Sequence, residues 1–323
     1  MNEQKYIDAY HVIKNANNIL LTIHAKPDGD AVSSANILIE LLINLNKKFF
    51  AYSKDIIPTS FDYLLHTEKI SQNINNKNFS DFDVIIALDC GSLSRTNLIE
   101  QIKNKNKNKN QITIEFDHHP KVDDYANIEI REPQMSSTAE VLYYFLKYNK
   151  IKFNKNFANS ILTGILTDTG NLLYDSTTSK TMDIVSEMLL YGAKYSQIIQ
   201  NTWRNKSLNG LKIWGLAMKN LQINKKYNFA FSILTFEELE KNKADEDEME
   251  GIAGFLSTLE DVDGVLFLRE EKKGILKGSL RTSKKNIDVS KLAKKLGGGG
   301  HIKASGFNMD GEIKRINNKY IIN

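Results

Sequence analysis

Acidic and imidazole side chains recur at the ends of apolar segments in this sequence. They are His24, Asp28 and Asp30 after residues 19–23, Asp89 after residues 84–88, Asp117, His118 and His119 at the end of residues 112–116, and Asp168 after residues 161–167. Carboxylates and imidazoles are ligands of divalent cations. Lys26 is the one basic residue within these motifs, and buried carboxylates need a compensating charge. A pair of divalent cations would supply that charge, so the sequence predicts a metallohydrolase.

The first three of these apolar segments are typical of strands in a parallel sheet. They are continuous runs rich in Ile, Val and Leu, which favours burial on both faces. Ligands of open parallel α/β sheets bind beyond the carboxyl ends of the strands, which is where the polar residues lie. A helical pattern over residues 31–45 follows the first run and predicts a right-handed βαβ unit. Another helix is predicted over residues 157–168, with Asp168 at its end.

Composition indicates a soluble, globular, cytoplasmic protein. The chain has 323 residues, enough for two domains, and its net charge of +4 is too small to predict a large nucleic-acid surface. The single cysteine, Cys90, excludes an internal disulfide and a thiolate zinc cluster. No apolar stretch approaches the ~20 residues of a membrane span, and the amino terminus has no signal-peptide core. A Lys-Asn alternation over residues 103–110 is predicted to be a solvated surface loop.

A run of four glycines at residues 297–300, followed by His301, is the most informative stretch of the C-terminal part. Consecutive glycines permit positive φ and expose backbone N–H groups, so an anion can approach closely. His301 and Arg281 could add charge-assisted hydrogen bonds to a phosphate. Because a helical pattern over residues 289–296 precedes the run, a phosphate or nucleotide cradle is favoured, and a flexible linker is the alternative.

The distribution of these patterns predicts two α/β domains. Strand-like and helical segments alternate in the first part, which is assigned to residues 1–192. Residues 193–226 are predicted to form a helical linker, and residues 227–323 a smaller second domain. The strand-like segments 265–268 and 275–280 are separated by a short charged connection, which predicts a hairpin within a mixed sheet.

The motifs resemble those of the DHH phosphoesterase superfamily with a C-terminal DHHA1 domain. The matching residues are His24-Ala25-Lys26-Pro27-Asp28-Gly29-Asp30, Asp89, Asp117-His118-His119, Thr167-Asp168-Thr169-Gly170 and, near the C-terminus, Arg281 and residues 297–301. Length and stand-alone architecture are similar to the bacterial nanoRNase and pAp phosphatase group, where pAp is 3′-phosphoadenosine 5′-phosphate. The resemblance implies a mainly parallel sheet flanked by helices in the DHH domain, a mixed sheet in the DHHA1 domain, and an active site in the cleft between them.

The resemblance also implies a two-metal mechanism with specific ligands. Carboxylates with a few imidazoles suit Mn²⁺, with Mg²⁺ or Co²⁺ as substitutes. Asp89 would contact both cations and thus belongs to the catalytic residues, together with His119 as substrate contact or general acid and Asp117 as the partner of an imidazole. The implied ligands are His24, Asp28 and Asp89 for the first cation, and Asp30, Asp89, His118 and Asp168 for the second. The implied substrate-binding residues are Arg281, Gly298, Gly299, Gly300 and His301.

The activity that the resemblance implies is hydrolysis of short RNA, 3′–5′, and conversion of pAp to AMP. The expected partners are therefore mononucleotides, dinucleotides and short RNA, with no long nucleic acid and no membrane. A cyclic-di-AMP or pApA phosphodiesterase is the first alternative, and an inorganic pyrophosphatase of the same superfamily is another. A nucleotide- or RNA-binding protein without catalysis is the alternative from a different class, against which the complete acid set argues. Homodimers occur among the relatives, and the sequence leaves the oligomeric state open.

Overall fold

A computed structural model describes residues 2–103, 111–243, 246–316 and 319–323. Residues 104–110, most of the predicted Lys-Asn loop, lie outside the described residues. The chain divides into two compact units, unit 1 (Met1–Asn205) and unit 2 (Lys206–Asn323). The division falls within the stretch predicted as a helical linker, residues 193–226, and the predicted domain boundaries stay predictions.

Unit 1 is built on a six-stranded parallel sheet. Its strands are β1 (Asn18–Ile23), β2 (Lys48–Tyr52), β3 (Ile70–Ser71), β4 (Val84–Leu88), β5 (Ile112–Asp117) and β6 (Ile128–Arg131). The order in the sheet is β3-β2-β1-β4-β5-β6, and every pairing is parallel. The predicted parallel sheet is thus confirmed. The strand order reverses between β1 and β4, and such a switch point is where open α/β sheets bind ligands.

Helices cover the sheet of unit 1. They are α1 (Glu3–Asn15), α2 (Gly29–Asn44), α3 (Ile99–Lys103), α4 (Thr138–Tyr148), α5 (Lys155–Asp168), α6 (Ser179–Leu190) and α7 (Tyr195–Thr202). Residues 29–42 of α2 are all buried, because this helix packs against β1 as well as α4 and α5. The buried side chains of α2 include five polar residues among the apolar ones: Asp30, Ser33, Ser34, Asn36 and Glu40. Across the described ranges, no helix combines the length and apolar character needed to cross a bilayer.

Unit 2 contains a mixed six-stranded sheet, as predicted. Its strands are β7 (Gln222–Asn224), β8 (Phe229–Leu234), β9 (Gly264–Lys272), β10 (Ile275–Arg281), β11 (Gly299–Gly300) and β12 (Ala304–Asp310), and a separate pair is β13 (Ile313–Ile316) and β14 (Lys319–Ile322). Its helices are α8 (Leu208–Lys219), α9 (Phe236–Asn242), α10 (Ile252–Leu256) and α11 (Val289–Lys295). The sheet order is β11-β12-β10-β9-β8-β7; only β8 and β9 pair in parallel among these described strands. The predicted hairpin corresponds to β9 and β10.

Candidate active site

The carboxyl edge of the parallel sheet carries the predicted acid and imidazole residues of unit 1. His24 follows β1, Asp89 follows β4 and Asp117 ends β5, and these three strands are neighbours in the sheet. Parallel strands end at the same edge, so a local sequence pattern is enough to bring these side chains together. Two helices add to the group: Asp28 caps the N-terminus of α2, and Asp168 is the last residue of α5.

The first group of possible ligand atoms comprises His24, Asp28 and Asp89. His24 Nε2 lies 3.6 Å from Asp28 Oδ2 and 3.8 Å from Asp89 Oδ2. Its Nδ1 lies 2.8 Å from the Ala25 carbonyl oxygen, so Nδ1 carries the proton and donates it there. Nε2 is buried and makes no hydrogen bond to any described residue. A lone pair that faces two carboxylates is unfavourable unless a cation lies between them, so this geometry fits a metal ligand.

The second group is centred on His118. Its Nε2 lies 3.5 Å from Asp168 Oδ2, 3.7 Å from Asp89 Oδ1 and 3.9 Å from Asp30 Oδ2. The ligand atoms of Asp30, Asp89 and His118 all lie within 4.8 Å of one another, as do those of the first group. Asp89 therefore belongs to both groups, one carboxylate oxygen facing each imidazole. The structure brings together the residues expected to hold two cations, and the donor set suits divalent ions.

Each group includes a carboxylate that solvent can reach. The Asp28 side chain is 48% exposed and that of Asp168 is 32% exposed, whereas the other ligand candidates are buried. A catalytic metal site keeps a coordination position open for water or substrate, while a structural site is closed. The partial exposure of Asp28 and Asp168 therefore favours a catalytic site over a structural one.

The charges in the cluster also fit divalent cations. Burial and the charge of Asp168 raise the pKa of Asp30 to about 8. Burial and the charges of Asp30 and Asp28 raise the pKa of Asp89 well above its ordinary value. These carboxyls resist full ionisation in the metal-free protein because each adds negative charge to the same buried volume. Bound cations would reverse this balance and stabilise the ionised forms.

Asp117 has a different environment from the other acids. Its Oδ1 accepts hydrogen bonds from His119 N (2.8 Å) and Nδ1 (2.9 Å), and its Oδ2 accepts one from Gly91 N (2.6 Å). Burial alone would raise the pKa of Asp117, yet the bonds and charge of His119, together with Arg131, hold that pKa below its usual range. Its oxygens are thus occupied within the protein, which suits a role in orienting His119.

The turn after β4 contains two residues with positive φ, Asp89 and Gly91. Asp89 has a φ of +57° and Gly91 a φ of +63°, both in the left-handed region. Asp and Asn enter this region more readily than other side-chain residues. Cys90 between them is buried, its Sγ donates to the Leu88 carbonyl (3.2 Å), and burial raises the pKa of its thiol well above the ordinary value. Cys90 therefore has the environment of a structural thiol.

The N-terminus of α4 contacts two of the acids, Asp30 and Asp89. Thr138 N and Ala139 N donate to the two carboxylate oxygens of Asp30 at 2.6 and 2.9 Å. Thr138 Oγ1 donates to Asp89 Oδ1 at 2.9 Å. The residues 136–138 mark a helix start in the sequence, but nothing local indicates a contact with Asp30, 108 residues earlier.

Arg131 is a second functional candidate that the sequence did not reveal. Its side chain is 3% exposed, and its Nη2 lies 2.5 Å from Glu115 Oε1 and 3.4 Å from Asp117 Oδ2. Its Nη1 donates to the His119 carbonyl oxygen at 2.7 Å. Arg131 therefore compensates the buried negative charge of Glu115 and Asp117, and its bond to the His119 carbonyl fixes the backbone there. It ends β6, the neighbour of β5 in the sheet, and belongs to no motif.

Gly164 of α5 permits close packing beside Asp30. A Cβ at this position would lie 2.4 Å from Ala139 Cβ and 2.7 Å from Asp30 Oδ1. We expect Gly164→Ala to displace the Asp30 carboxylate, to lower the free energy of unfolding by about 1–3 kcal/mol, and to weaken Mn²⁺ binding. Urea denaturation and Mn²⁺ titration measure the two effects. Gly215→Ala is the matched control, because no atom of the described residues outside its own helix backbone lies within 4 Å of its Cβ position. Wild-type Mn²⁺ affinity in Gly164→Ala would contradict the prediction.

The glycine run in unit 2 completes helix α11 and forms strand β11. Gly297 N and Gly298 N donate to the carbonyls of Lys294 (3.2 Å) and Ala293 (2.8 Å), which closes the C-terminus of α11. A Cβ on Gly298 would lie 2.0 Å from the Gly306 carbonyl oxygen, so glycine is required there for packing. Gly298 N is therefore engaged in the helix end, and backbone donors for an anion would have to come from β11.

The other predicted binding residues of unit 2 lie close to this run. Arg281 is opposite Ala304 in the pairing of β10 with β12, and its Nη1 donates to the Leu280 carbonyl at 2.9 Å. His301 N donates to the Ala304 carbonyl at 2.8 Å and closes the turn between β11 and β12. Arg281, His301 and β11 thus share one region of unit 2, and their role in substrate binding stays a prediction.

Comparison with known families agrees with this fold. Residues 18–165 match the family model for the DHH family, N-terminal domain, and residues 226–320 match that for the DHHA1 domain. The chain therefore carries a DHH domain followed by a DHHA1 domain.

Relatives within this family are similar over most of the chain. The bifunctional oligoribonuclease and PAP phosphatase NrnA of Bacillus subtilis is 28% identical, with 89% of this chain and 88% of the relative covered. The protein of the same name from Thermus thermophilus is 25% identical, with coverages of 91% and 84%. An exopolyphosphatase-related protein from Bacteroides fragilis has a similar crystal structure, with a TM-score of 0.83, 28% identity, and coverages of 94% and 91%.

Proposed function

We propose that this protein is a metal-dependent phosphoesterase that hydrolyses short RNA oligonucleotides from the 3′ end and converts pAp to AMP. The observation that carries the proposal is the pair of ligand groups that share Asp89, each with one imidazole and a solvent-accessible carboxylate nearby. The names of the relatives support the substrate class, because the similarity extends over most of both chains.

The proposed ligand sets follow the two groups. His24, Asp28 and Asp89 would hold one divalent cation, and Asp30, Asp89, His118 and Asp168 the other. Two cations at such a site supply Lewis-acid stabilisation of phosphoryl charge and a water of lowered pKa. Mn²⁺ is the proposed metal because the set mixes carboxylates with imidazoles, with Mg²⁺ or Co²⁺ as substitutes.

His119 is proposed to bind the substrate phosphate or to protonate the leaving oxygen. Because Nδ1 donates to Asp117 Oδ1 (2.9 Å), a proton transfer would go through Nε2. The Asp117 carboxylate accepts this bond and fixes the orientation of the ring, the role that an acid has beside a catalytic histidine. The positive charge of Arg131 adds to the effect of His119 in holding the pKa of Asp117 below its usual range.

Unit 2 is proposed to recognise a further phosphate or the nucleoside of the substrate. Arg281 and His301 would provide side-chain donors. Because Gly298 N donates within the end of α11, the predicted backbone donors are limited to those of β11, Gly299 and Gly300. A few donors of this kind suit a short substrate, and a net charge of +4 gives no strong case for a large nucleic-acid surface.

A substrate panel tests the proposal. Purified protein would be assayed for kcat/KM with pAp, pGpG, pApA, cyclic-di-AMP and pyrophosphate, each with Mn²⁺ and with a chelator. We expect Mn²⁺-dependent hydrolysis of pAp and the dinucleotides, and none with the chelator. A clear preference for cyclic-di-AMP would support the phosphodiesterase alternative, and a preference for pyrophosphate the pyrophosphatase. Binding of nucleotides without any product release would refute catalysis.

A further inference from the structure

One short segment behind the ligand groups contacts three of the proposed metal ligands. We call residues 135–139 the acid-contacting segment. The Met135 carbonyl lies 3.4 Å from His118 Nδ1, and the amides of Thr138 and Ala139 donate to Asp30. Thr138 Oγ1 donates to Asp89. A shift of this segment would therefore move three of the four proposed ligands of the second cation at the same time.

Glu140 anchors the acid-contacting segment from within the protein. Its side chain is buried, and its Oε2 accepts hydrogen bonds from Ser136 N (3.2 Å) and Ser136 Oγ (2.5 Å). The same oxygen accepts a hydrogen bond from Thr181 Oγ1 (3.1 Å) in the first turn of α6. Glu140 thus fixes both the backbone and the hydroxyl of Ser136, two residues before Thr138. Hydrogen bonds to an ionised acceptor are stronger than those between neutral groups.

The bonding of Glu140 differs from ordinary helix capping. Ser137 is the N-cap of α4, and Glu140 is in the position from which a capping box would return to the Ser137 N–H. Its carboxylate instead accepts from Ser136, one residue earlier, and from α6. The side chain therefore does more than complete the helix end, because it connects the acid-contacting segment to a second helix.

We propose that Glu140 is a positioning residue for the second cation, acting through Ser136 and the acid-contacting segment on Asp30, Asp89 and His118. The inference rests on the proposed function, since it assigns Glu140 a part in metal binding. It predicts that loss of the Glu140 charge weakens metal affinity, and that kcat falls more than KM changes.

Mn²⁺ titration of Glu140→Gln by calorimetry, without substrate, tests this role directly. We expect Mn²⁺ affinity to fall about tenfold, the range found when partners of metal ligands are replaced. Thr181→Val is the control, because it removes the bond from α6 to Glu140, together with the bonds between Thr181 Oγ1 and Thr178 that cap α6, and leaves Ser136 in place. It should lower the melting temperature and leave Mn²⁺ affinity within about twofold of wild type. If Glu140→Gln does not fold, Ser136→Ala removes the hydroxyl bond and should weaken Mn²⁺ binding in the same direction.

The outcomes separate the inference from the proposed function. Wild-type Mn²⁺ affinity in Glu140→Gln, or in Ser136→Ala where that variant is used, would overturn the inference alone. An equal loss of affinity in Thr181→Val would also overturn it, since the effect would then belong to the whole buried network. Failure of the wild-type protein to bind Mn²⁺, Mg²⁺ or Co²⁺ would overturn the proposed function, and the inference with it.

Discussion

Replacement of Asp89 by Asn is expected to lower kcat for Mn²⁺-dependent hydrolysis by at least about 10³-fold, because Asp89 is the one residue that belongs to both ligand groups among the residues described. Asn is the appropriate substitution, since the φ of +57° at this position would strain Ala. The amide also keeps an acceptor for Thr138 Oγ1. Steady-state kinetics with pAp and a dinucleotide measure the loss.

The same substitution is expected to raise the melting temperature of the metal-free protein. Burial and neighbouring acids raise the folded-state pKa of Asp89 above the unfolded value. For such an acid, stability is lost as pH rises from the unfolded pKa through the folded pKa, so the ionised carboxylate costs folding free energy at neutral pH. Asn removes that cost in the chelated protein, and it also removes much of the stabilisation that Mn²⁺ gives the wild type.

The control for this pair of measurements is Asp124→Asn, whose side chain is 84% exposed. It should leave both kcat and the metal-free melting temperature unchanged. Asp89→Asn protein that hydrolyses pAp at the wild-type rate would show that the ligand assignment is wrong. If Asp89→Asn melts at a lower temperature than the wild type, both with chelator present, the ionised Asp89 carboxylate does not cost folding free energy in the metal-free protein.

Arg131→Met is expected to destabilise unit 1 by about 3–5 kcal/mol, the cost of leaving a buried charge uncompensated. Glu115 and Asp117 are both buried, and Arg131 is the cation that contacts them. Activity should also fall at temperatures where the variant is folded, because Arg131 Nη1 donates to the His119 carbonyl and Nη2 lies 3.4 Å from Asp117 Oδ2. Urea denaturation gives the free energy of unfolding, and kcat is measured below the transition.

Lys121→Met provides the matched comparison for Arg131→Met. Lys121 pairs with Glu129 at 2.6 Å, but its side chain is exposed, so solvent screens the interaction and little stability should be lost. Equal effects of the two substitutions would contradict the claim that burial makes the Arg131 network important. Arg131→Lys keeps the charge but loses the planar fork, and it should lie between wild type and Arg131→Met.

Much of the site could be predicted from the sequence because most of its ligands follow apolar, strand-like runs. Apolar runs indicate β1, β4 and β5, and parallel strands must end at the same edge, so His24, Asp89 and Asp117 are brought together by local rules. Asp28 and Asp30 follow β1 directly and open the next helix. The same reasoning, supported by the family resemblance, predicted the α/β fold and the mixed sheet of the second unit.

The interactions that hold those ligands could not be predicted, because they join residues distant in sequence. Nothing near Thr138 indicates Asp30, and nothing near Arg131 indicates that it lies against both Glu115 and Asp117. The glycine run predicted an open cradle, yet its first two N–H groups complete α11, a detail set by how α11 packs on β12. The sequence by itself determined the chemistry available at the sheet edge, since strand and turn patterns are local. Only the tertiary structure decided which donors orient each acid, since those bonds depend on the packing of α4, α5 and β6 against one another and the sheet.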